Sequence, residues 1–301
     1  MKPKRFYLIL VVMAVAFSAM AAFLLFSQST KVYAAQANLP PELGDLSISP
    51  TNGVVPVKDS VLSFTVVFTD PGVFSGLTFA WDWGDGNTTS CPPETVECSF
   101  DYEEYGDGVR GEVFASHTYQ EAGIYSVQLE VHENDQFDIA TYNYVVAYDA
   151  SAGFVTGGGW IDSPPEAYRP DPTLAGKATF GFVSKYKNGA TRPTGSTVFH
   201  FKMADMNFHS ENYQWMVISD HKVQYKGTGT INGVGNYGFM LTAIDADLTP
   251  SSDVDLLRIK IWDKDNGDVV IYDNQVGAED NADPNTAISG GSIMIHKEKD
   301  K

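Results

Sequence analysis

The sequence predicts an all-β protein made of two consecutive β-sandwiches. Three observations lead there. Short stretches alternate apolar and polar residues at period two, the mark of a half-buried strand. Turn residues close most of these stretches. Long helical periodicity is absent, while 27 glycines and an aromatic content of 13% suit strands joined by turns.

The first residues stand apart from the fold. Lys2, Lys4 and Arg5 precede a charge-free run from Phe6 to Phe26, and Val32-Tyr33-Ala34 places small or apolar residues at the −3 and −1 positions of a cleavage site. Residues 1–35 are read as a signal peptide cut near Ala34 or Ala35, or as an N-terminal membrane anchor, since the run is long enough to span a bilayer. Both readings export the rest of the chain and leave the basic flank inside. The expected location is secreted or extracellular, with surface tethering if the segment stays uncleaved.

The formal charge is −18. Lys2, Lys4, Arg5 and Lys31 all fall in the leader, so the exported part is more acidic still. Such a surface repels nucleic acid and anionic lipid. It leaves an extracellular glycan or surface protein as the partner, and membrane contact only through the N-terminal segment. It also tolerates calcium, although solubility alone accounts for the charge. Cys91 and Cys98 are the two cysteines. In an exported chain their default state is a disulfide, here closing the loop after the preceding strand.

Residues 40–149 form the first predicted domain. Ser63–Phe68 is a strand candidate closed by Thr69-Asp70-Pro71-Gly72. Leu77, Phe79, Trp81 and Trp83 then share one face, and Gly84-Asp85-Gly86-Asn87 supplies a turn. That alternation places both tryptophans in the core, with Asp82 and Asp85 bonding turn amides. Gly123, Tyr125, Val127, Leu129 and Val131 form another inward row, and Ala140–Tyr148 a final strand. Tyr125 is a candidate tyrosine corner, its hydroxyl bonded back to the preceding loop.

These residues carry a resemblance. Trp81-Asp82-Trp83-Gly84-Asp85-Gly86, followed by Ser116-His117-Thr118-Tyr119 and Gly123-Ile124-Tyr125-Ser126-Val127, resembles a PKD domain over about residues 43–148. The resemblance implies a seven-stranded immunoglobulin-like sandwich. It also implies extracellular work in adhesion, spacing or substrate presentation rather than catalysis. The chain departs from the family pattern between the motifs, where Cys91 to Val113 is an acidic insertion carrying Asp101, Glu103, Glu104 and Asp107.

Residues 153–297 form the second predicted domain, joined by the short segment Asp149–Gly153. Nine strand candidates imply a second sandwich, with a jelly roll as one arrangement. Asn266-Gly267 between two apolar stretches predicts a two-residue type I′ hairpin. Phe154–Ile161, Lys177–Phe182 and Gly227–Gly233 are similar to an uncharacterised C-terminal domain of secreted bacterial proteins, which implies an address and no mechanism.

The search for chemistry yields no catalytic motif. GxSxG, HExxH and Walker sequences are missing, and the six histidines are scattered. Asp205 and Glu211, near His209 and Trp215, are the carboxylates that would suit a sugar-cleaving cleft. For calcium, Asp263, Asp265 and Asp268 cluster oxygens in the manner of a cation loop, although the hairpin accounts for them equally. Asp245 with Asp247, Asp253 with Asp255, Asp280 to Asp283, and Glu133 with Asp135 and Asp138 are further acidic turns. Trp160, Trp215 and Trp262 lead the aromatic residues available for stacking on sugars, with Tyr168, Tyr186, Tyr213, Tyr225 and Tyr237 beside them. Alternation with Ile259 and Ile261 turns Trp262 outward. The expected function is non-enzymatic adhesion, or binding of glycan or protein. An accessory or catalytic module for polysaccharide degradation and a structural cell-surface component are the alternatives.

Overall fold

A computed structural model describes residues 38–72, 76–106, 108–250 and 252–297. The leader lies outside the described residues. No described helix is long and apolar enough to cross a membrane.

In the N-terminal half the strands are β1 (Glu42–Leu43), β2 (Ser47–Ser49), β3 (Val54–Pro56), β4 (Leu62–Asp70), β5 (Thr78–Asp82), β6 (Thr88–Cys91), β7 (Cys98–Tyr105), β8 (Gly108–His117), β9 (Gly123–Glu133) and β10 (Gln136–Tyr148). They build two sheets. One runs β1-β4-β8-β7 with β2 also on β4; the other runs β3-β10-β9-β5-β6. Alternation decides which side chains face the space between them. Leu62, Phe64, Val66 and Phe68 of β4 meet Phe79 and Trp81 of β5 and Val127, Leu129 and Val131 of β9, all buried. The acidic insertion supplies β7, an edge strand, and the first part of β8 on which it pairs. The Cys91–Cys98 disulfide joins the end of β6 to the start of β7, so it links the two sheets and is buried in their core.

Strand β10 serves both halves. Its register shifts between Tyr142 and Val145. Beyond the shift, Val145 and Ala147 enter the sandwich core while Val146 and Tyr148 join the core cluster of the C-terminal half.

The C-terminal half contains β11 (Phe154–Ser163), β12 (Gly176–Tyr186), β13 (Pro193–Phe201), β14 (Met206–Ser219), β15 (Lys222–Ile231), β16 (Val234–Ile244), β17 (Leu256–Asp263), β18 (Val269–Asp273) and β19 (Gly290–His296). These nine strands form a single antiparallel sheet in the order β18-β17-β16-β15-β14-β13-β12-β11-β19. The expected jelly roll would need strands that cross between two sheets. Here each strand from β11 to β17 pairs with its successor, and β19 returns to pair with β11, so the up-and-down sheet curls on itself instead.

Closure uses the segment before β19. Leu257 N donates to Thr286 O and Ile288 N to Asp255 O, each at 2.9 Å, and Ser289 N donates to Trp160 O at 2.8 Å. The segment thus bonds β17 on one side and β11 on the other. Past that point the main-chain ladder to β17 stops, and carboxylates replace it. Ile293 N donates to Asp255 Oδ2 at 2.7 Å, and Ile295 N to Asp245 Oδ2 at 2.8 Å. Asp245 and Asp255 are therefore edge-sealing acceptors rather than solvated acids.

Inside the curl, Phe199, Phe201, Phe208, Tyr225, Phe239 and Tyr272 are fully buried. Space for them comes from glycine. A methyl group at Gly157, Gly227 or Gly229 would overlap the rings of Phe182, Phe239 and Phe208 respectively. The buried hydroxyls of Tyr213 and Tyr225 meet Thr197 Oγ1 at 2.7 and 3.0 Å, so neither is left unsatisfied. The β17–β18 turn differs from the expected hairpin. Lys264–Asn266 forms a 3-10 turn, and the left-handed residues are Gly267 and Asp268, because Asp263 Oδ1 captures the Asp265 N–H first.

Asp255→Ala leaves the N–H groups of Ala246 and Ile293 without their carboxylate acceptor. It is expected to lower unfolding free energy by about 2–4 kcal/mol, measured by urea titration, and Asp255→Asn to recover part of that loss.

Candidate functional site

The tryptophan motif of the N-terminal half is a fastening. Trp81 and Trp83 stack at 5.3 Å, and the Trp83 indole stacks on His117 of β8 at 4.8 Å. His117 meets the Tyr119 ring edge-on, and Tyr119 stacks on Tyr125 at 4.3 Å. Polar tips tie the same residues together. Tyr119 Oη donates to Trp83 O at 2.9 Å, Trp83 Nε1 to Thr89 Oγ1 at 3.0 Å, and His117 Nε2 lies 2.7 Å from Asp85 Oδ2. Asp82 Oδ1 and Asp85 Oδ1 accept the N–H groups of Gly84 and Asn87. Gly86 takes a positive φ in the same turn. Tyr125 Oη donates to Glu121 O at 2.9 Å, the tyrosine-corner bond. Burial opposes ionisation of Asp85, but hydrogen bonds from His117 and Asn87 outweigh it and hold its pKa below the ordinary value. The motif joins the two sheets and buries Trp81, Trp83 and Tyr119 between them.

At the far end of the same core two inward rows finish in acid. Asp70 follows Leu62, Phe64, Val66 and Phe68 on β4, and Glu133 follows Val127, Leu129 and Val131 on β9. Asp70 is 1% exposed and Glu133 0%. Neither oxygen of Asp70 has a hydrogen-bond partner among the described residues. Burial first, and the charge of Glu133 second, push the Asp70 carboxyl up to about 6. Nearby Asp138 is occupied, accepting from Leu43 N at 2.8 Å.

The most elaborate arrangement lies where the halves meet. Lys222, Gln224 and Lys226 share the outward face of β15, opposite Val223 and Tyr225. The outward residues of this region are nonetheless largely covered. Ile124 and Val146 pack against it from the N-terminal half, and Tyr148 stacks on Tyr186 at 5.2 Å. The segment 274–283 covers the rest. Arg258, 2% exposed, grips it: Nε and Nη2 donate to Asp273 Oδ1 and Oδ2 at 3.1 and 2.9 Å, and Nη2 and Nη1 donate to the carbonyls of Ala278 and Glu279. Gln224 Nε2 donates to Asp280 O at 2.6 Å. Lys260 pairs with Asp280, and Lys222 with Asp283. Tyr144, from β10, donates its hydroxyl to Glu279 Oε2 at 3.0 Å.

A cavity of about 230 Å³ remains in this seam, lined among others by Tyr142, Asn143, Tyr144, Trp215, Lys226 and Asn281. Tyr144 and Asp280 also line an open groove of about 770 Å³ that reaches Arg169 and Lys260. Lys226 points its amine at the Trp262 ring, 5.3 Å from the centroid. Burial lowers the Lys226 pKa, with Asp280 and Asp268 acting the other way.

The aromatic residues singled out in the sequence do not form a row. Trp215 is only 7% exposed, under the N-terminal half, and Tyr186, Tyr213 and Tyr225 are buried too. Trp160 and Trp262 are half-buried on the outer surface. Each lies flat over a glycine, Gly290 and Gly238, with Lys177 or Lys226 above the ring. Ile259 and Ile261 face inward, which turns Trp262 out. Asp263 and Asp265 spend oxygens on Asp265 N and Asn236 Nδ2, and Asp268 occupies the left-handed turn. Among the described residues no three acidic, histidine or cysteine side chains converge on one point, this trio included. Asp205 sits in the turn before β14, Glu211 is exposed within it, and Trp215 lies near its far end. The strand's own length therefore separates the proposed cleft residues.

Sequence reasoning missed Lys226, Arg258, Tyr144 and Asp70. Period two does put Gln224 and Lys226 on one face and Asp70 at the end of an inward row. It gives no sign of what covers the outer face, because the covering residues are distant in the chain.

Residues 45–146 match the family model described as PKD domain. That module is a β-sandwich often found in extracellular proteins and generally non-catalytic. No curated protein and no solved structure matches the chain.

Two outcomes are expected. Arg258→Met strands the buried Asp273 carboxylate and should cost about 3–5 kcal/mol of unfolding free energy, with Arg258→Met/Asp273→Leu recovering much of it in the same denaturant titration. For Asp70, a native pKa above the unfolded 3.8 means that the native state binds the extra proton, so stability falls as pH rises from about 4 through 6. Asp70→Asn should therefore unfold at a higher temperature than the wild type near neutral pH in chelator, and the gap should close at about pH 4.

Proposed function

We propose that this protein works outside the cytoplasm as a non-enzymatic binding module that holds a glycan or a surface protein, in an adhesive role. The seam carries this reading. A PKD sandwich and a curled sheet are packed face to face, and between them lie an aromatic and amide-lined cavity and a groove, the usual place for a binding site in a protein of two halves. The export leader read from the sequence and the acidic surface are consistent with it.

Calcium is proposed as a structural ion of the N-terminal half, held by Asp70 and Glu133. Both are hard oxygen ligands, both are buried, and the Asp70 oxygens are unpartnered among the described residues. A cation there would neutralise two carboxylates that otherwise repel across the core.

The test is retention of the purified protein on a panel of polysaccharides and cell-wall material, with calcium and with chelator. Retention on one class of material without chemical change to it supports the reading. Retention on none, or release of cleaved sugars, overturns it. In parallel, calcium should raise the unfolding temperature of the wild type and leave Asp70→Asn unchanged; equal shifts in both would remove the ion from this position.

A further inference from the structure

The charged residues lining the seam cavity are Lys226 and Asp280, and Asp280 is already paired with Lys260. The acids of this region are engaged: Asp273 by Arg258, Asp280 by Lys260, Glu279 by Tyr144. Among the described residues Lys226, in the cavity, and Arg169, in the adjoining groove, make no ion pair. A partly buried ammonium is costly without an ion pair, and although Asp280 and Asp268 attract Lys226, neither pairs with it directly.

The remaining wall narrows the chemistry. Trp215, Tyr142 and Tyr144 present apolar ring surface, while Asn143 and Asn281 bring amides. Flat aromatic surface beside amide donors and acceptors suits a sugar, which shows C–H faces and hydroxyl edges at once. The volume of about 230 Å³ lies below the roughly 300–1,000 Å³ of drug-sized pockets and so suits a single small ring. The groove shares Tyr144 and Asp280 with the cavity and gives further units of a chain somewhere to run.

We propose that the seam cavity binds a carboxylated sugar, a hexuronate unit of an acidic polysaccharide, with its carboxylate on Lys226 and its ring against Trp215 and Tyr144. This rests on the glycan-binding reading above and names the class of glycan and the site. The carboxylate would pair with Lys226, and Arg169 would meet a second carboxylate further along the groove.

The experiment is titration of the isotopically labelled protein with galacturonate, trigalacturonate, glucose and acetate, followed by the indole N–H signals of its 5 tryptophans. Galacturonate should shift Trp215 and Trp262 and leave Trp81, Trp83 and Trp160 in place. Trigalacturonate should bind more tightly, and glucose and acetate about tenfold or more weakly than galacturonate. Lys226→Gln should abolish the galacturonate shifts with little change in unfolding temperature. If that variant is unstable, Arg169→Gln, at an exposed residue, should still weaken trigalacturonate and spare galacturonate. No shift at Trp215 and Trp262, acetate binding as tightly as galacturonate, or insensitivity to both variants overturns the proposal. Retention on a neutral polysaccharide together with silent seam tryptophans would sink this site while sparing the broader binding function.

Discussion

The buried pair of Arg258 and Asp273 holds the seam between the halves together. A guanidinium on the outer face of a sheet would ordinarily be solvated. Here it is covered, and its cost is met by two carboxylate bonds and two carbonyl bonds made at once. Those carbonyls belong to Ala278 and Glu279, so the pair fixes the path of the segment that leaves β18. The segment then presents Asp280 to Lys260 and Glu279 to Tyr144. Releasing Arg258 would therefore free the wall of the cavity, the pairing of Lys260 and one bond between the halves together.

The same arrangement explains why the halves do not behave as beads on a linker. A short junction alone would permit hinge motion, since interdomain interfaces are often small and polar. Here the last residues of β10 are buried on both faces, Val145 and Ala147 in one core and Val146 and Tyr148 in the other. A register shift between Tyr142 and Val145 makes this possible by changing how the strand meets β9. The segment that ends the sandwich is thus part of the packing of the curled sheet, and the cavity walls come from both. A binding site built this way is organised before its ligand arrives, which reduces the ordering cost of binding.

The sequence exposes some of this and conceals the rest for a physical reason. Alternation reports which side chains share a face, so the inward placement of Phe79, Trp81 and Trp83 and of Ile259 and Ile261 was legible. Turn chemistry was legible around Gly84 to Asn87, where the aspartates bond the nearest amides. It misled at Asn266-Gly267, where Asp263 caps a different turn. The curling of the second sheet was not legible, because strand sequences look alike in a sandwich and in a closed meander. Closure here depends on Asp245 and Asp255 reaching β19 across long stretches of chain. The burial of Trp215 was hidden for the same reason: an outward residue becomes a covered one only when another half docks on it.

The same distinction separates the candidate sites. A carboxylate trio such as Asp263, Asp265 and Asp268 looks like a site in the sequence because the residues are near one another along the chain. In the fold their oxygens serve the turn that brings them together. Lys226 looks like one of several exposed lysines in the sequence. In the fold it is a partly buried cation without an ion pair, set against an indole at the edge of a cavity whose acid, Asp280, is held by Lys260. Polar groups that are satisfied where they stand explain the fold. A charged group that is partly buried and makes no ion pair leaves part of its desolvation cost unmet, which is the opening that the proposed anionic ligand would use.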